Sequence, residues 1–147
     1  MRCADEKFMR QALVLATKGL GNVEPNPLVG AVIVKNNAII GRGAHKKFGG
    51  PHAEINALTD CRNLKNDPAG ATLYVTLEPC CHTGKTPPCT DAIIAAKIAK
   101  VIFATTDPMP HCSGKGLDVL RRAGIEVEHG ILAQESKTLN APFVKFA

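Results

Sequence analysis

The sequence predicts an α/β protein: a three-layer α/β/α sandwich on a five-stranded mixed sheet, with an antiparallel first hairpin and the remaining strands mostly parallel. Three observations carry this reading. Two apolar runs, 28–34 and 38–43, are separated only by Lys35-Asn36-Asn37, so they pair back as a hairpin. From residue 71 onward, strand and helix patterns alternate, which implies parallel neighbours, right-handed crossovers and helices on both faces. The 147 residues suit one domain and contain no internal repeat or linker, so 1–147 is expected to be a single domain.

Each element follows from its local pattern. Residues 5–20 place Phe8, Met9, Ala12, Leu13, Ala16 and Leu20 on one helical face, with Asp5 as the expected N-cap and Gly19 and Gly21 as the stop. Pro25 and Pro27 keep 22–27 irregular. After the hairpin, Pro51 opens a helix over 52–64, and 71–76 forms the third strand. Pro87 or Pro88 starts a helix over 88–98, and 100–105 is the fourth strand. A helix over 117–122 ends at Gly124 as its C′ residue, a fifth strand covers 125–128, and a last helix covers 131–140.

Composition narrows the function. Aromatic residues make up only 4%, too few for a stacking platform on single-stranded nucleic acid. The formal charge of +5 suits an anionic small molecule as well as it suits solubility, and no long basic run marks a nucleic-acid footprint. The charged N-terminus is unlike a secretory signal, and the apolar runs are far below a membrane span. Six cysteines in such a chain point to metal binding in a reducing compartment, so a cytoplasmic location is expected, without membrane or nucleic-acid partners.

The chemistry concentrates between Gly49 and Cys89. Pro51-His52-Ala53-Glu54 offers an imidazole and a carboxylate at a helix start, and Glu78-Pro79-Cys80 and Pro87-Pro88-Cys89 offer two thiols, each preceded by proline. His52, Cys80 and Cys89 make three zinc ligands, one short of a closed tetrahedral shell, and the open position is what a catalytic zinc requires. Glu54 is then placed to carry protons as general acid and base. Two plainer readings stand beside this one. The histidine and cysteines could be a cap and core residues, or a structural zinc could be completed by Cys81 or His82. Zinc deaminases as a class carry His-x-Glu followed by Pro-Cys-x-x-Cys; here the second half is Pro-Cys-x8-Cys, a longer insert holding His82, Gly84 and Lys85.

With these motifs the chain resembles the deaminase domain of riboflavin biosynthesis, within the cytidine-deaminase-like superfamily. The resemblance runs through Pro25-Asn26-Pro27-Leu28-Val29-Gly30, Gly43-Ala44-His45, Gly50-Pro51-His52-Ala53-Glu54, 72–80, Gly84-Lys85-Thr86-Pro87-Pro88-Cys89, Asp107-Pro108 and Leu139-Asn140. It implies zinc as cofactor, a phosphorylated diamino-hydroxy-ribosylamino-pyrimidine as substrate, and hydrolytic loss of the ring amine as ammonia. It also implies that Asn26, His45, Ala53, His82, Lys85 and Asp107 line the site and hold base, ribose and phosphate. Read without it, Asn26 is equally a turn residue, Lys85 a solvated loop lysine, and His45 and His82 loop histidines. Gly114-Lys115-Gly116 could cradle phosphate, but a loop leading into the next helix accounts for it better.

Met109 stands where the family usually has asparagine, Cys81 where serine is usual, and His111-Cys112-Ser113 where small apolar residues are expected. These departures spare the zinc chemistry and bear on the ribose-phosphate contacts. In the family this domain is usually the N-terminal half of a deaminase/reductase. No dinucleotide fingerprint occurs here, so no NADPH site is expected, and the reductase step falls to another domain or protein. A homo-oligomer is the expected assembly. The rival readings are a deaminase of another base (cytosine, guanine or tRNA adenosine) and a non-catalytic zinc-binding module.

Overall fold

The hairpin is built around its turn. Asn36 and Asn37 both adopt positive φ (52° and 63°), the two-residue geometry whose twist matches the flanking strands. They join β1 (Gly30–Lys35) to β2 (Ala38–Ala44) in antiparallel register, from Gly30 opposite Ala44 to Lys35 opposite Ala38. The computed structural model describes residues 2–23, 27–47, 50–80, 88–106 and 114–144.

The other elements are α1 (Arg2–Ala16), a 3-10 turn at Thr17–Gly19, α2 (Ala53–Asn63), β3 (Thr72–Leu77), α3 (Cys89–Ala95), β4 (Lys100–Thr105), α4 (Lys115–Arg122), β5 (Glu126–His129) and α5 (Ala133–Val144). The sheet order is β2-β1-β3-β4-β5. β1 is antiparallel to both its neighbours, while β3, β4 and β5 are parallel, so the expected mixed sheet is observed.

Strand alternation assigns the two faces. Ala31, Ile33, Leu73, Val75, Val101, Phe103 and Val127 pack with Ala57 and Leu58 of α2, Ile93 of α3 and Leu120 of α4. Val32, Val34, Tyr74 and Ile102 point the other way, against Phe8, Met9 and Ala12 of α1. Helices therefore cover both faces, as the alternating pattern required. No helix of the described residues is long and apolar enough to cross a membrane.

Most element ends differ from the sequence reading by a few residues, and three of the starts bear on the site. β1 begins at Gly30 rather than Leu28, because the Leu28 N–H donates to Asn140 Oδ1 (2.7 Å) and its carbonyl accepts from Asn140 Nδ2 (3.0 Å), so a side chain takes the place of a neighbouring strand. The helix α1 begins at Arg2, ahead of Asp5, whose carboxylate instead accepts a 2.6 Å hydrogen bond from the Tyr74 hydroxyl. The helix α2 begins at Ala53 with His52 as N-cap, leaving Pro51 just outside it. Gly124, at φ +88°, is the left-handed C′ residue expected after α4.

The chain direction sets where chemistry can collect. Because β1 opposes β3, the start of β1 and the end of β2 lie beside the carboxyl ends of β3 and β4. A buried polar network closes this end: Gly30 N–H donates to Thr76 Oγ1 (3.1 Å), and Ser136 Oγ donates to the Thr76 carbonyl (2.7 Å). Together with the Asn140 pair, these bonds tie α5 to β3 and to the chain entering β1. Asn140→Ala leaves both backbone groups of Leu28 without their buried partners and should cost about 2–4 kcal/mol of unfolding free energy. Urea denaturation of the metal-free protein checks this, and a loss below about 0.5 kcal/mol would show the pair to be dispensable.

Candidate active site

Three elements deliver the predicted ligands to one point. Pro79 ends the pairing of β3 with β4, which continues one residue past the strand through Glu78 N–H to the Thr105 carbonyl (2.9 Å), and Cys80 follows at once. Pro88 caps α3 and puts Cys89 at its first position; Pro51 precedes the His52 cap of α2. The ligand atoms of His52, Cys80 and Cys89 lie within 4.8 Å of one another. The His52 Nδ1 faces both sulfurs, at 3.3 Å from Cys89 Sγ and 3.7 Å from Cys80 Sγ, so Nδ1 is the nitrogen turned to the cluster.

The helix start at α3 shapes the electrostatics. Cys89 N–H donates to Cys80 Sγ (3.3 Å), and Thr90 N–H donates to the Cys80 carbonyl (3.2 Å). Hydrogen bonding from the Cys89 thiol, reinforced by His52 and the Cys89 backbone, brings the Cys80 thiol down to about 4, so it is a thiolate at neutral pH. The same thiolate pushes the Cys89 thiol up, with burial adding to the effect, and raises His52 through their hydrogen bond. The metal-free cluster thus holds one thiolate beside two protonated or proton-sharing groups.

Glu54 stands next to this cluster, only 4% exposed on the first turn of α2. Burial pushes its carboxyl up to about 7; the Cys80 thiolate adds to the rise and His52 opposes it. A carboxyl with that affinity can both take and return a proton near neutrality. A divalent cation among the three donors would add positive charge and draw the neighbouring acids down. One imidazole and two cysteine sulfurs, one already ionised, form a donor set suited to zinc.

The polar residues behind the ligands are described in part. His45 is buried, edge-on to the His52 ring with centroids 5.2 Å apart, and its Nδ1–H donates to the Pro51 carbonyl (3.1 Å). Burial lowers its pKa, against the effect of that bond. Ala53 is buried as the first residue of α2. The expected contacts Asn26, His82, Lys85 and Asp107, and the departures Cys81, Met109 and His111–Ser113, lie outside the described residues.

Two supporting residues escaped the sequence reading. Asn56 Nδ2 donates to the Ala44 carbonyl (2.7 Å) and to the Pro51 carbonyl (3.3 Å), joining α2 to the end of β2. Gly43 lets the same contact close, because a Cβ there would run into the backbone of Ala53 and Ala57. An Asn one turn after a proline-led helix start, with glycines in the preceding strand, was the available signal for this junction.

Residues 2–105 match the family described as the cytidine and deoxycytidylate deaminase zinc-binding region. The chain belongs to this deaminase family. Among its relatives are proteins named for riboflavin biosynthesis. The chain is 51% identical over 142 residues to RibD of Actinobacillus pleuropneumoniae, covering 97% of this chain and 37% of that protein, so it spans well under half of that relative's length. It is 49% identical over 142 residues to the diaminohydroxyphosphoribosylamino-pyrimidine deaminase of Buchnera aphidicola subsp. Schizaphis graminum, covering 96% of this chain and 94% of that protein. A crystal structure from Thermotoga maritima, a diaminohydroxyphosphoribosylaminopyrimidine deaminase/5-amino-6-(5-phosphoribosylamino)uracil reductase, superposes with a TM-score of 0.94 at 52% identity, over 99% of this chain and 41% of that one.

Because binding of a metal by thiolates expels protons, zinc loading should release at least the Cys89 proton, and zinc affinity should rise with pH across the range in which His52 and Cys89 are protonated. Titration in weakly buffered solution, followed by pH indicator, checks the release; loading without proton release would contradict the described protonation.

Proposed function

We propose that this deaminase hydrolyses 2,5-diamino-6-(5-phosphoribosylamino)pyrimidin-4-one, releasing the C2 amine as ammonia and leaving the 5-aminouracil product, as an early step of riboflavin biosynthesis. The observation that carries the reading is the buried Glu54 carboxyl beside a three-donor cluster of His52, Cys80 and Cys89. The substrate class is supported by the relative named for this activity, whose length the chain matches almost throughout.

In this reading His52, Cys80 and Cys89 hold the zinc. Bound zinc supplies Lewis-acid activation of water at neutral pH. Glu54 accepts the proton that water gives up as its oxygen adds to the amine-bearing ring carbon, and delivers it to the ring nitrogen. It then takes the remaining proton of that oxygen, now a hydroxyl on the ring carbon, and passes it to the departing amine. The carbon–nitrogen bond breaks, ammonia leaves, and the ring carbonyl remains. Burial keeps Glu54 off bulk water and its proton affinity near the working pH. His45, through its bond to the Pro51 carbonyl, holds the turn that orients His52.

On this reading the remaining contacts are those that the family likeness supports. Ala53 and His45 lie against the described site, and Asn26, His82, Lys85 and Asp107 complete the hold on base, ribose and phosphate. We take residues 1–147 as one deaminase domain, acting in the cytoplasm as a homo-oligomer, with reduction of the product left to a separate domain or protein. A reductase partner is supported by the two-activity description of the Thermotoga protein.

Incubating the zinc-loaded protein with the phosphoribosylamino-pyrimidine, with cytidine and guanine as controls, should give ammonia from the first alone. Glu54→Gln should retain its zinc and lose about 10²–10⁴-fold in turnover. Turnover of a control base in place of the phosphorylated pyrimidine would overturn the substrate assignment. Full activity of Glu54→Gln would overturn the assigned proton carrier.

A further inference from the structure

The geometry points to Glu78 as a positioning residue for the metal centre: it locks the turn that carries Cys80 onto α4 and β4, so that the thiolate is held in register with His52 and Cys89. The inference rests on the reading of His52, Cys80 and Cys89 as the zinc ligands.

Glu78 is only 4% exposed, two residues before Cys80. Its carboxylate is divided between two backbone amides of the α4 N-terminus: Gly114 N–H donates to Oε1 (2.9 Å) and Leu117 N–H donates to Oε2 (3.1 Å). The N-cap, Gly114, has no side chain to offer these amides, so among the described residues the cap comes from Glu78. A carboxylate at a helix N-terminus is favoured by the helix dipole, and here it comes from a distant strand end rather than from the helix itself. The Glu78 backbone is occupied as well, with its N–H donating to the Thr105 carbonyl of β4 (2.9 Å).

Gly116 adds a second, independent constraint. A Cβ at Gly116 would run into the Pro79 carbonyl oxygen and come within 3.3 Å of the Glu78 carboxylate. The helix α4 is therefore seated directly on the Pro79 carbonyl and the Glu78 side chain, and only glycine permits that approach. The residue immediately before Cys80 is consequently fixed by contact, while the residue before that is fixed by hydrogen bonds on both its backbone and its side chain. Cys80 itself is held from the far side by the amides of Cys89 and Thr90.

The test separates positioning from bulk stability. Glu78→Gln keeps the shape of the side chain, but its amide presents a donor to one of two N–H groups that need acceptors. Asn140→Ala, which breaks bonds to Leu28 and none to the Glu78 side chain, serves as the control that weakens the fold. Zinc affinity is read by chelator competition under conditions where every variant is folded, so global stability does not enter the dissociation constant. Glu78→Gln should bind zinc about 10–100-fold more weakly, with faster hydrogen exchange at the Gly114 and Leu117 amides, while Asn140→Ala stays within about twofold of the parent. Should Glu78→Gln fail to fold, Glu78→Asp, which keeps the charge but is too short to bridge both amides, carries the same comparison. Zinc affinity of the Glu78 variant within about twofold of the parent, or an equal loss in Asn140→Ala, would overturn the positioning role. A parent chain that binds no zinc would overturn the ligand assignment itself, and the positioning role with it.

Discussion

The donation of the Cys89 amide to the Cys80 sulfur is the interaction on which the site depends. It joins the end of β3 to the first residue of α3, and with the Cys89 thiol and His52, whose hydrogen bonds lower the Cys80 pKa more, it favours the Cys80 thiolate. That negative charge acts on each neighbour, beside burial in the case of Glu54. His52 is drawn toward its protonated form, the Cys89 thiol is driven the other way, and Glu54 is kept from ionising easily in its buried place. The fold's part is to bring the starts of two helices to the end of one strand. The antiparallel hairpin adds the end of β2, and with it His45, to the same edge.

Prolines are what make these positions reproducible. Pro51, Pro79 and Pro88 each precede a site residue directly; Pro79 follows the last β3–β4 bond, and Pro51 and Pro88 stand at the starts of α2 and α3. Glycines do the complementary work. Gly43 lets α2 approach β2, and Gly116 lets α4 sit on the Pro79 carbonyl. The result is a site in which no ligand depends on a long unsupported side chain.

Much of this was readable from residues alone, because the signals were local. The hairpin announced itself in Asn36-Asn37, the parallel part of the sheet in alternating strand and helix patterns, and the donor cluster in one histidine and two cysteines placed beside prolines. What could not be read were contacts between distant residues. Nothing near Asp5 says that it accepts from Tyr74, and nothing near Leu28 says that Asn140 will occupy both its backbone groups. Glu78 reads as one letter of a motif, yet its carboxylate serves a helix that begins at Lys115. The choice of the His52 Nδ1 over the other ring nitrogen also depends on ring orientation, which no spacing rule supplies.

The central claim is a zinc held by three protein donors from three elements, with one position left for the reacting water. X-ray absorption at the zinc edge on the zinc-loaded protein tests this directly. The account predicts two sulfur neighbours at about 2.3 Å, one imidazole nitrogen and one further light-atom neighbour from solvent. A shell with a third sulfur or a second imidazole would mean that Cys81 or His82 closes the site, and the zinc would then be structural rather than catalytic.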